Sequence, residues 1–404
     1  MKTKFLPIAL ALVLGFGVTS CTIEINDGME NGTATTPGTT ESVLNGSGTL
    51  SGIISKDLLI KKGNYTLDGV VKITNGATIT IEAGAIFNVV TNKTSALVVL
   101  NDGLINAQGT ASEPIVFTTS TKTPGDWGGI TLYGEAPIKA LNGNTTAISE
   151  DGNALSYGGT NANDFSGTMK FVRVEYAGKK IGDGTSETNT FTFYSVGAGT
   201  VLENLVAYKG TDDGFEFFGG TVSAKNLVSY GNYDDSFDWQ DAWSGQFNSN
   251  WYAYQVGTGN FGMEIEASSN ADNTAPKISN ITLIRAAGTN PEGANSPEIS
   301  AIQFKKQGSG IFTNVYISGY KNIGTQKAYS VLIQDAATET GQVNTNKIVV
   351  APMTYLDSDN PLVWGYAYTP NGGKTFTNTA TVTKVSLPAG AWATVDGVNL
   401  LSAL

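Results

Sequence analysis

The chain has 404 residues, 40% of them hydrophobic, and 49 glycines, a composition that allows a large buried core and many turns. Its 35 acidic residues exceed its 24 basic residues by 11, which argues against nucleic-acid binding because that function needs a basic surface. Histidine is absent, so catalytic triads, general bases and zinc sites that use histidine are excluded.

The N-terminal residues have the pattern of a lipoprotein signal. Lys2 and Lys4 precede an apolar run over 5–18, which is too short to span a bilayer comfortably. The only cysteine, Cys21, follows Val-Thr-Ser, and this stretch resembles the lipobox of bacterial lipoproteins. We therefore expect residues 1–20 to be a signal peptide and Cys21 to be acylated. The alternative is an ordinary secretory signal with an incidental cysteine.

Lipidation of Cys21 implies that the protein contacts a membrane through its lipid. By resemblance to lipoprotein sorting rules, Thr22 after the cysteine allows delivery to the bacterial outer membrane, and the expected location is the cell surface. Residues 21–45 are rich in Thr, Asn and Gly without periodicity, which predicts a flexible tether.

Short strands with regular spacing begin near Tyr65. The apolar triplets at 79–81, 97–99 and 115–117 each start 18 residues after the one before, with Gly or Asn turns between them. Further along, the residues at 212–217 return at 234–239, a shift of 22 residues. An asparagine followed by a four-residue strand recurs in the same part of the chain, at Asn204, Asn226, Asn250, Asn280 and Asn314.

This pattern resembles the right-handed parallel β-helix of pectate-lyase-like proteins. Stacked coils bury a continuous core, and like residues of successive coils form ladders about 4.8 Å apart. We predict an all-β solenoid over 46–350 with an internal asparagine ladder, an insertion at 139–167 and a C-terminal cap over 351–404. A β-sandwich is the alternative, but it does not explain two repeats in one 22-residue register.

Acidic residues are expected to stack on the outside of this solenoid. In each Phe-Glu-Phe-like strand the outer residues point inward and the middle residue points outward, which predicts a column of Thr192, Glu216, Asp238, Glu264 and Gln303. Two turn columns, Asp212 over Asp234 and Asp213 over Asp235, are expected beside it. Carboxylates so close repel each other, which favours a bound cation, a raised pKa on one partner, or compensating donors from Lys209, Arg285 and turn amides.

The acids have two kinds of interpretation. As an oxygen-only metal site they would suit calcium, with these candidate ligands: Asp212, Asp213, Glu216, Asp234, Asp235 and Asp238. As acid–base groups, the candidate catalytic residues are Glu216, Asp238 and Glu264, with Lys209 or Arg285 as a lyase base. The alternatives are turn capping for the turn aspartates and solvated surface charge for the strand acids.

Aromatic residues crowd the same region, and rings beside carboxylates suit sugar recognition. Some of them must belong to the core. The candidate ligand-binding aromatics are Phe218, Trp243, Trp251, Tyr252 and Tyr254.

Three longer segments, 125–138, 157–178 and 212–222, resemble a family of bacterial outer-membrane lipoproteins. The resemblance implies a location and a fold, and no chemistry. Three functions remain open: binding of an extracellular ligand, above all glycan; a carbohydrate-active hydrolase or lyase; and an accessory subunit of an outer-membrane complex.

Overall fold

A computed structural model describes residues 42–180, 188–293, 298–359, 364–374, 376–379 and 381–404. These residues form one sheet system of 25 strands whose pairings are parallel, plus two small antiparallel hairpins. The right-handed parallel β-helix predicted from the repeat is therefore confirmed. The predicted signal peptide and Cys21 lie outside the described residues.

The strands follow the chain in short steps. The N-terminal coils contain β1 (Ser42–Leu44), β2 (Ser47–Ile54), β3 (Leu58–Ile60), β4 (Gly63–Ile73), β5 (Thr78–Glu82), β6 (Ala85–Val89), β7 (Ala96–Val99), β8 (Leu104–Gln108), β9 (Ile115–Thr118) and β10 (Ile130–Tyr133). The insertion contains β11 (Ala147–Ile148) and β12 (Ser156–Tyr157). The central coils contain β13 (Gly167–Glu175), β14 (Phe191–Tyr194), β15 (Val201–Tyr208), β16 (Phe215–Phe218), β17 (Ser223–Tyr230), β18 (Phe237–Gln240), β19 (Asn248–Gln255), β20 (Met263–Ile265), β21 (Lys277–Arg285), β22 (Ile302–Phe304), β23 (Gly310–Ser318) and β24 (Val331–Ile333). The C-terminal strands are β25 (Ile348–Val350), β26 (Met353–Leu356), β27 (Trp364–Tyr366), β28 (Thr394–Val395) and β29 (Val398–Asn399).

The solenoid has three faces. The first sheet runs through β1, β3, β5, β8 and the first halves of the odd-numbered strands from β13 to β23. The second sheet contains the second halves of those strands, ending at β26. The third sheet stacks β7, β10, β14, β16, β18, β20, β22, β24 and β27. The third sheet carries the predicted acidic column.

The asparagine ladder marks the bend between the first and second sheets. The side-chain Nδ2 of Asn226 donates to Oδ1 of Asn204 at 2.8 Å, and the same bond joins Asn250, Asn280 and Asn314 in turn, at 2.8, 2.9 and 3.0 Å. Each of these residues has a positive φ, between 56° and 61°, a conformation that Asn tolerates better than most residues. Exposure increases along the ladder, from 5% at Asn204 to an exposed side chain at Asn314.

The interior is filled by side chains that stack from coil to coil. The rings of Phe191, Phe215 and Phe237 lie face to face with centroids 5.0 and 5.7 Å apart, and all three are fully buried. Stacking of this kind follows from the 22-residue register, because the same inward position recurs in each coil. The core is continuous from the first coils to the C-terminal strands.

The insertion predicted at 139–167 folds back over the outer face of the third sheet. Tyr157 of the insertion packs against Tyr194 and Phe218, and these side chains are almost fully buried. Its hydroxyl donates to Oδ2 of Asp241 at 2.5 Å, and a second contact joins Lys139 to Asp272. The insertion is thereby fixed beside the acidic column.

The C-terminal residues take two positions. Strands β26 and β27 occupy the last places in the second and third sheets, where a cap on the solenoid was expected. Residues 381–404 run back along the outer face of the second sheet, and Trp392 packs there among Val206, Tyr208 and Tyr252. Arg173 holds this segment by donating to the carbonyl oxygen of Ala391 at 2.7 Å.

Short helical turns complete the described structure, at Leu141–Gly143, Ala336–Thr338, Glu339–Val343 and Ala391–Ala393. Among the described residues, no helix has the length and apolarity needed to cross a membrane.

Candidate functional site

The predicted acidic column is present on the outer face of the third sheet. Thr192 lies opposite Glu216, Glu216 opposite Asp238, Asp238 opposite Glu264, and Glu264 opposite Gln303, in unbroken register. We call these five residues the carboxylate row. Their strand neighbours point inward and are fully buried, as at Phe215 and Phe217 on either side of Glu216, so the register fixes the row to the outside.

The buried turn aspartates join one coil to the next. Oδ1 of Asp213 accepts from the backbone N–H of Asp235 at 2.8 Å, and Oδ1 of Asp235 accepts from the N–H of Phe261 at 2.6 Å. Asn189 takes the equivalent place one coil earlier and accepts from the N–H of Asp213 at 3.2 Å. Capping of backbone N–H groups therefore accounts for the buried turn aspartates, although the capped N–H groups belong to the following coil and not to the aspartate's own turn.

The three acids of the row differ in their partners. Glu216 is 7% exposed and accepts hydrogen bonds from Nδ2 of Asn189 and from Nε2 of Gln240, the latter at 3.2 Å. Glu264 forms an ion pair with Lys305 at 2.5 Å. Between them, Oδ1 of Asp238 is shielded from solvent and accepts no hydrogen bond from the described residues. An acceptor in this state is costly unless a ligand or a proton satisfies it.

The carboxylates lie close enough to share an ion. Three groups of acids each bring one oxygen atom per residue within 4.8 Å of the others. The members of these groups are Asp212, Asp213 and Asp234; Asp213, Glu216 and Asp238; and Asp235, Asp238 and Glu264. All six predicted metal ligands thus belong to the cluster, and Glu264 joins them.

Burial and mutual repulsion act in the same direction on these acids. Burial, followed by the charges of neighbouring carboxylates, raises the pKa of Asp213, Glu216, Asp235 and Asp238 well above their ordinary values. The same two causes raise the pKa of Glu298, across the turn, to about 7. A bound proton or cation would therefore relieve these acids of the cost of carrying buried, mutually repelling charges.

Lys305 is a basic residue of the site that the sequence reasoning missed. Burial alone would lower its pKa, but the charges of Glu264 and Asp238 outweigh that cause and raise it, so the ammonium stays charged. Lys305 follows the strand Ile302–Phe304, one residue beyond the last inward side chain. Outward positions alternate along a strand, so the next outward position after Gln303 is Lys305, and the sequence could have placed this lysine beside the row.

The two basic residues proposed from the sequence lie elsewhere. Arg285 is 5% exposed and donates to the backbone carbonyl of Asn260 at 2.8 Å, so it holds the loop between β19 and β20 and cannot serve as a base for an external substrate. Lys209 lies over the ring of Tyr208, whose side chain belongs to the outer face of the second sheet.

Most of the candidate ligand-binding aromatics are buried, which corrects that expectation. Trp243 and Trp251 belong to the interior of the solenoid and are at most 1% exposed. Phe218 is covered by the insertion, and Tyr252 is covered by the C-terminal segment. None of these four can offer a ring face to a sugar, and only Tyr254 is partly exposed, on the second sheet away from the carboxylate row.

Two polar flanks border the row. On one side the insertion presents Glu150, whose Oε1 accepts from Nε2 of Gln240 at 3.3 Å. On the other side Nδ2 of Asn260 donates to Oδ1 of Asp234 at 2.5 Å and to Oε2 of Glu298 at 3.2 Å. The site is therefore a strip of carboxylates and amides on a rigid sheet, and its chemistry suits cations and hydrogen-bond donors.

Comparison with protein families identifies the fold family. The family model described as the pectate-lyase like beta helix domain matches residues 52–389. The chain belongs to this family. No curated protein matches it.

Two solved structures are similar to this β-helix protein. One is the Dettilon tailspike protein, with 11% identity and a TM-score of 0.24; the match covers 74% of this chain and 62% of that chain, so it spans under two thirds of the tailspike's length. The other is the A-module of the Azotobacter vinelandii mannuronan C-5 epimerase AlgE6, with 15% identity and a TM-score of 0.29, covering 80% of this chain and 82% of the module.

Proposed function

We propose that this β-helix protein binds an extracellular carbohydrate along the carboxylate row. The observation that carries the proposal is the unbroken outward series from Thr192 to Gln303, in which each coil adds one carboxylate, hydroxyl or amide at the strand spacing. Sugar hydroxyls donate to carboxylates and amides, and a rigid sheet presents these groups without a large ordering cost. A glycan chain lying along the solenoid would meet the same chemistry at each step.

A glycan array followed by calorimetry tests this function. The wild type is expected to bind one class of glycan, and Glu216→Gln/Asp238→Asn is expected to lose most of that affinity. Asp102→Asn is a matched control, because Asp102 caps a turn of the N-terminal coils by accepting from the N–H of Asn75 at 2.8 Å. Binding that is equal in the wild type and in the double variant would place the ligand elsewhere.

We propose that calcium occupies the buried end of this site, held by Asp213, Glu216 and Asp238. The donor set fits a hard cation, since it contains only oxygen atoms, and the unsatisfied Oδ1 of Asp238 supplies a free ligand atom. Calcium bound here would lower the repulsion between the acids and orient them toward a ligand. This calcium proposal applies whether or not the protein is an enzyme.

A carbohydrate-active enzyme is a second candidate, favoured by one observation. Asp238, whose pKa is raised, lies opposite Glu264, which is paired with the charged Lys305. A carboxyl group with a raised pKa beside a second carboxyl group held by a lysine is an arrangement that general acid–base catalysis of glycosidic cleavage uses. Mass spectrometry of a bound oligosaccharide after long incubation distinguishes the two functions: shorter products that disappear in Asp238→Asn indicate an enzyme.

We also propose that Cys21 carries the lipid anchor and that the protein resides on the outer membrane at the cell surface. Support comes from the apolar run and the Val-Thr-Ser-Cys stretch at 18–21. A surface location would expose the carboxylate row to extracellular glycan. An accessory role in an outer-membrane complex predicts instead that no glycan binds the row and that the protein copurifies with a fixed membrane partner.

A further inference from the structure

The C-terminal segment, residues 381–404, crosses the strands of the second sheet in order. Near its start the backbone N–H of Val382 donates to Oγ1 of Thr354 on β26 at 3.0 Å. Two strands earlier in the stack, the N–H of Val385 donates to Oγ1 of Thr282 on β21 at 2.8 Å. The segment therefore runs along the axis of the solenoid, back toward the N-terminal coils.

The next contacts of the segment are apolar. Val385 and Leu387 belong to one cluster with Tyr252 of β19, Val228 of β17 and Val206 of β15. The three strand residues point outward, yet all of them are fully buried. The segment thus covers part of a sheet face that would otherwise meet solvent.

Trp392 fixes the far end of the segment. Its buried ring lies edge-on to the ring of Phe171, with centroids 5.7 Å apart. Its backbone N–H donates to the carbonyl oxygen of Ala111 at 3.1 Å, and Arg173 of β13 donates to its carbonyl oxygen at 3.2 Å. Gly390 approaches the Ala111 carbonyl oxygen so closely that a Cβ atom would lie 2.4 Å from it.

The two ends of the segment lie on strands that are far apart in the stack. Seven successive pairings separate β26 from β9, the strand that follows Ala111. At about 4.8 Å per pairing the distance is roughly 34 Å. A nearly extended chain from Val382 to Trp392 spans this distance at about 3.3–3.6 Å per residue. The coils in this span also carry the carboxylate row on the third sheet.

Contacts between distant coils change how a solenoid unfolds. In a simple solenoid each coil contacts only its neighbours, so an end coil can open by losing one interface. A segment docked across many coils is ordered only while those coils keep their positions. Its contacts therefore add an energetic coupling between coils that do not touch each other.

We propose that the C-terminal segment is a clasp that joins the coils from β9 to β26 into one cooperatively unfolding unit. Trp392 is the anchor of the clasp, and the hydrogen bonds of Val382 and Val385 hold its other end. The clasp keeps the spacing of the carboxylate row constant from coil to coil. This inference is independent of the proposed carbohydrate binding.

Hydrogen exchange followed by mass spectrometry tests the coupling. Trp392→Ala removes the anchor, and we expect the amides of β23 and β26 to exchange at least about tenfold faster, although these strands lie at the other end of the clasp. Gly390→Ala should give the same pattern, because its Cβ meets the Ala111 carbonyl oxygen while every core side chain is kept. Trp392→Phe keeps a ring against Phe171 and should retain most of the protection.

Leu67→Ala is the control for an effect transmitted through the core alone. Leu67 is a fully buried core residue of β4, in a coil that the clasp does not reach. We expect faster exchange in the N-terminal coils of this variant and unchanged exchange in β26. The proposal is overturned if the effect of Trp392→Ala and Gly390→Ala stops at β13 and β15, or if Leu67→Ala accelerates exchange in β26 equally.

Discussion

Replacing Glu216 by Gln and Asp238 by Asn removes two carboxylates that face each other on neighbouring strands of the third sheet. Their oxygens lie within 4.8 Å, so two charges there repel by roughly 1 kcal/mol at the dielectric constant of water and roughly 3–4 kcal/mol at an effective value of 20. In chelator, removal of this repulsion should stabilise the fold. Loss of the charge-assisted bonds to Glu216 costs about 1–2 kcal/mol.

With the repulsion taken at the effective value of 20, the net effect is a double variant more stable than the wild type in chelator by about 1–3 kcal/mol. Thermal unfolding followed by circular dichroism, with and without calcium, measures it. Calcium should raise the melting temperature of the wild type and raise that of the double variant clearly less, because two of the three proposed ligands have lost their charge.

Glu264→Gln is the control, for which we expect a change in stability of the opposite sign. It removes a carboxylate from the same row but also breaks the 2.5 Å ion pair with the half-buried Lys305, which keeps only the longer contact with Glu266 at 3.8 Å, so it should destabilise the protein with or without calcium. The reasoning is refuted if calcium leaves the wild type unchanged while the double variant melts much lower in chelator. In that case the row acids are hydrogen-bonded scaffold.

The remaining predictions concern the pH dependence of stability, the asparagine ladder and the lipid anchor at Cys21. The raised pKa values mean that the folded state binds protons more tightly than the unfolded chain. The free energy of unfolding in chelator should therefore fall as pH rises from about 4.5 to about 7, which is the folded pKa of Glu298. Calcium should reduce that fall. Urea unfolding across this range checks the slope, and rising stability contradicts it. Asn226→Gly should cost about 1 kcal/mol of stability, because the ladder bonds are lost. Asn226→Leu should cost about 1–2 kcal/mol more, because φ at this position is 57°, which strains Leu but not Gly. Equal costs of the two variants in urea unfolding would show that the backbone conformation does not matter. Labelling with a fatty-acid analogue should tag the wild type and miss Cys21→Ala, and equal labelling would exclude lipidation at that residue.

The sequence was informative wherever the repeat determines structure. Because stacked coils align equivalent positions, the shift of 22 residues was sufficient to pair Glu216 with Asp238. The asparagine motif carried the register across the longer gaps from Asn250 to Asn280 and from Asn280 to Asn314. In these parts, inward and outward positions follow from strand alternation alone.

The segments outside the repeat were not predictable in the same way. Trp243 lies in a turn, where no period says whether a ring enters the core, and the structure buries it against Phe217. Phe218 and Tyr252 occupy outward strand positions but are covered by distant parts of the chain, the insertion and the C-terminal segment. Such packing depends on long-range contacts that have no signature in local spacing, and Glu150 was missed for the same reason.

A crystal structure of the protein with a bound oligosaccharide and calcium tests the central claim most directly. The account predicts ligand density along the third sheet over Glu216, Asp238 and Glu264, with a metal ion about 2.3–2.6 Å from the oxygens of Asp213, Glu216 and Asp238. Ligand density on another face, with these acids bonded only to protein and water, would contradict it.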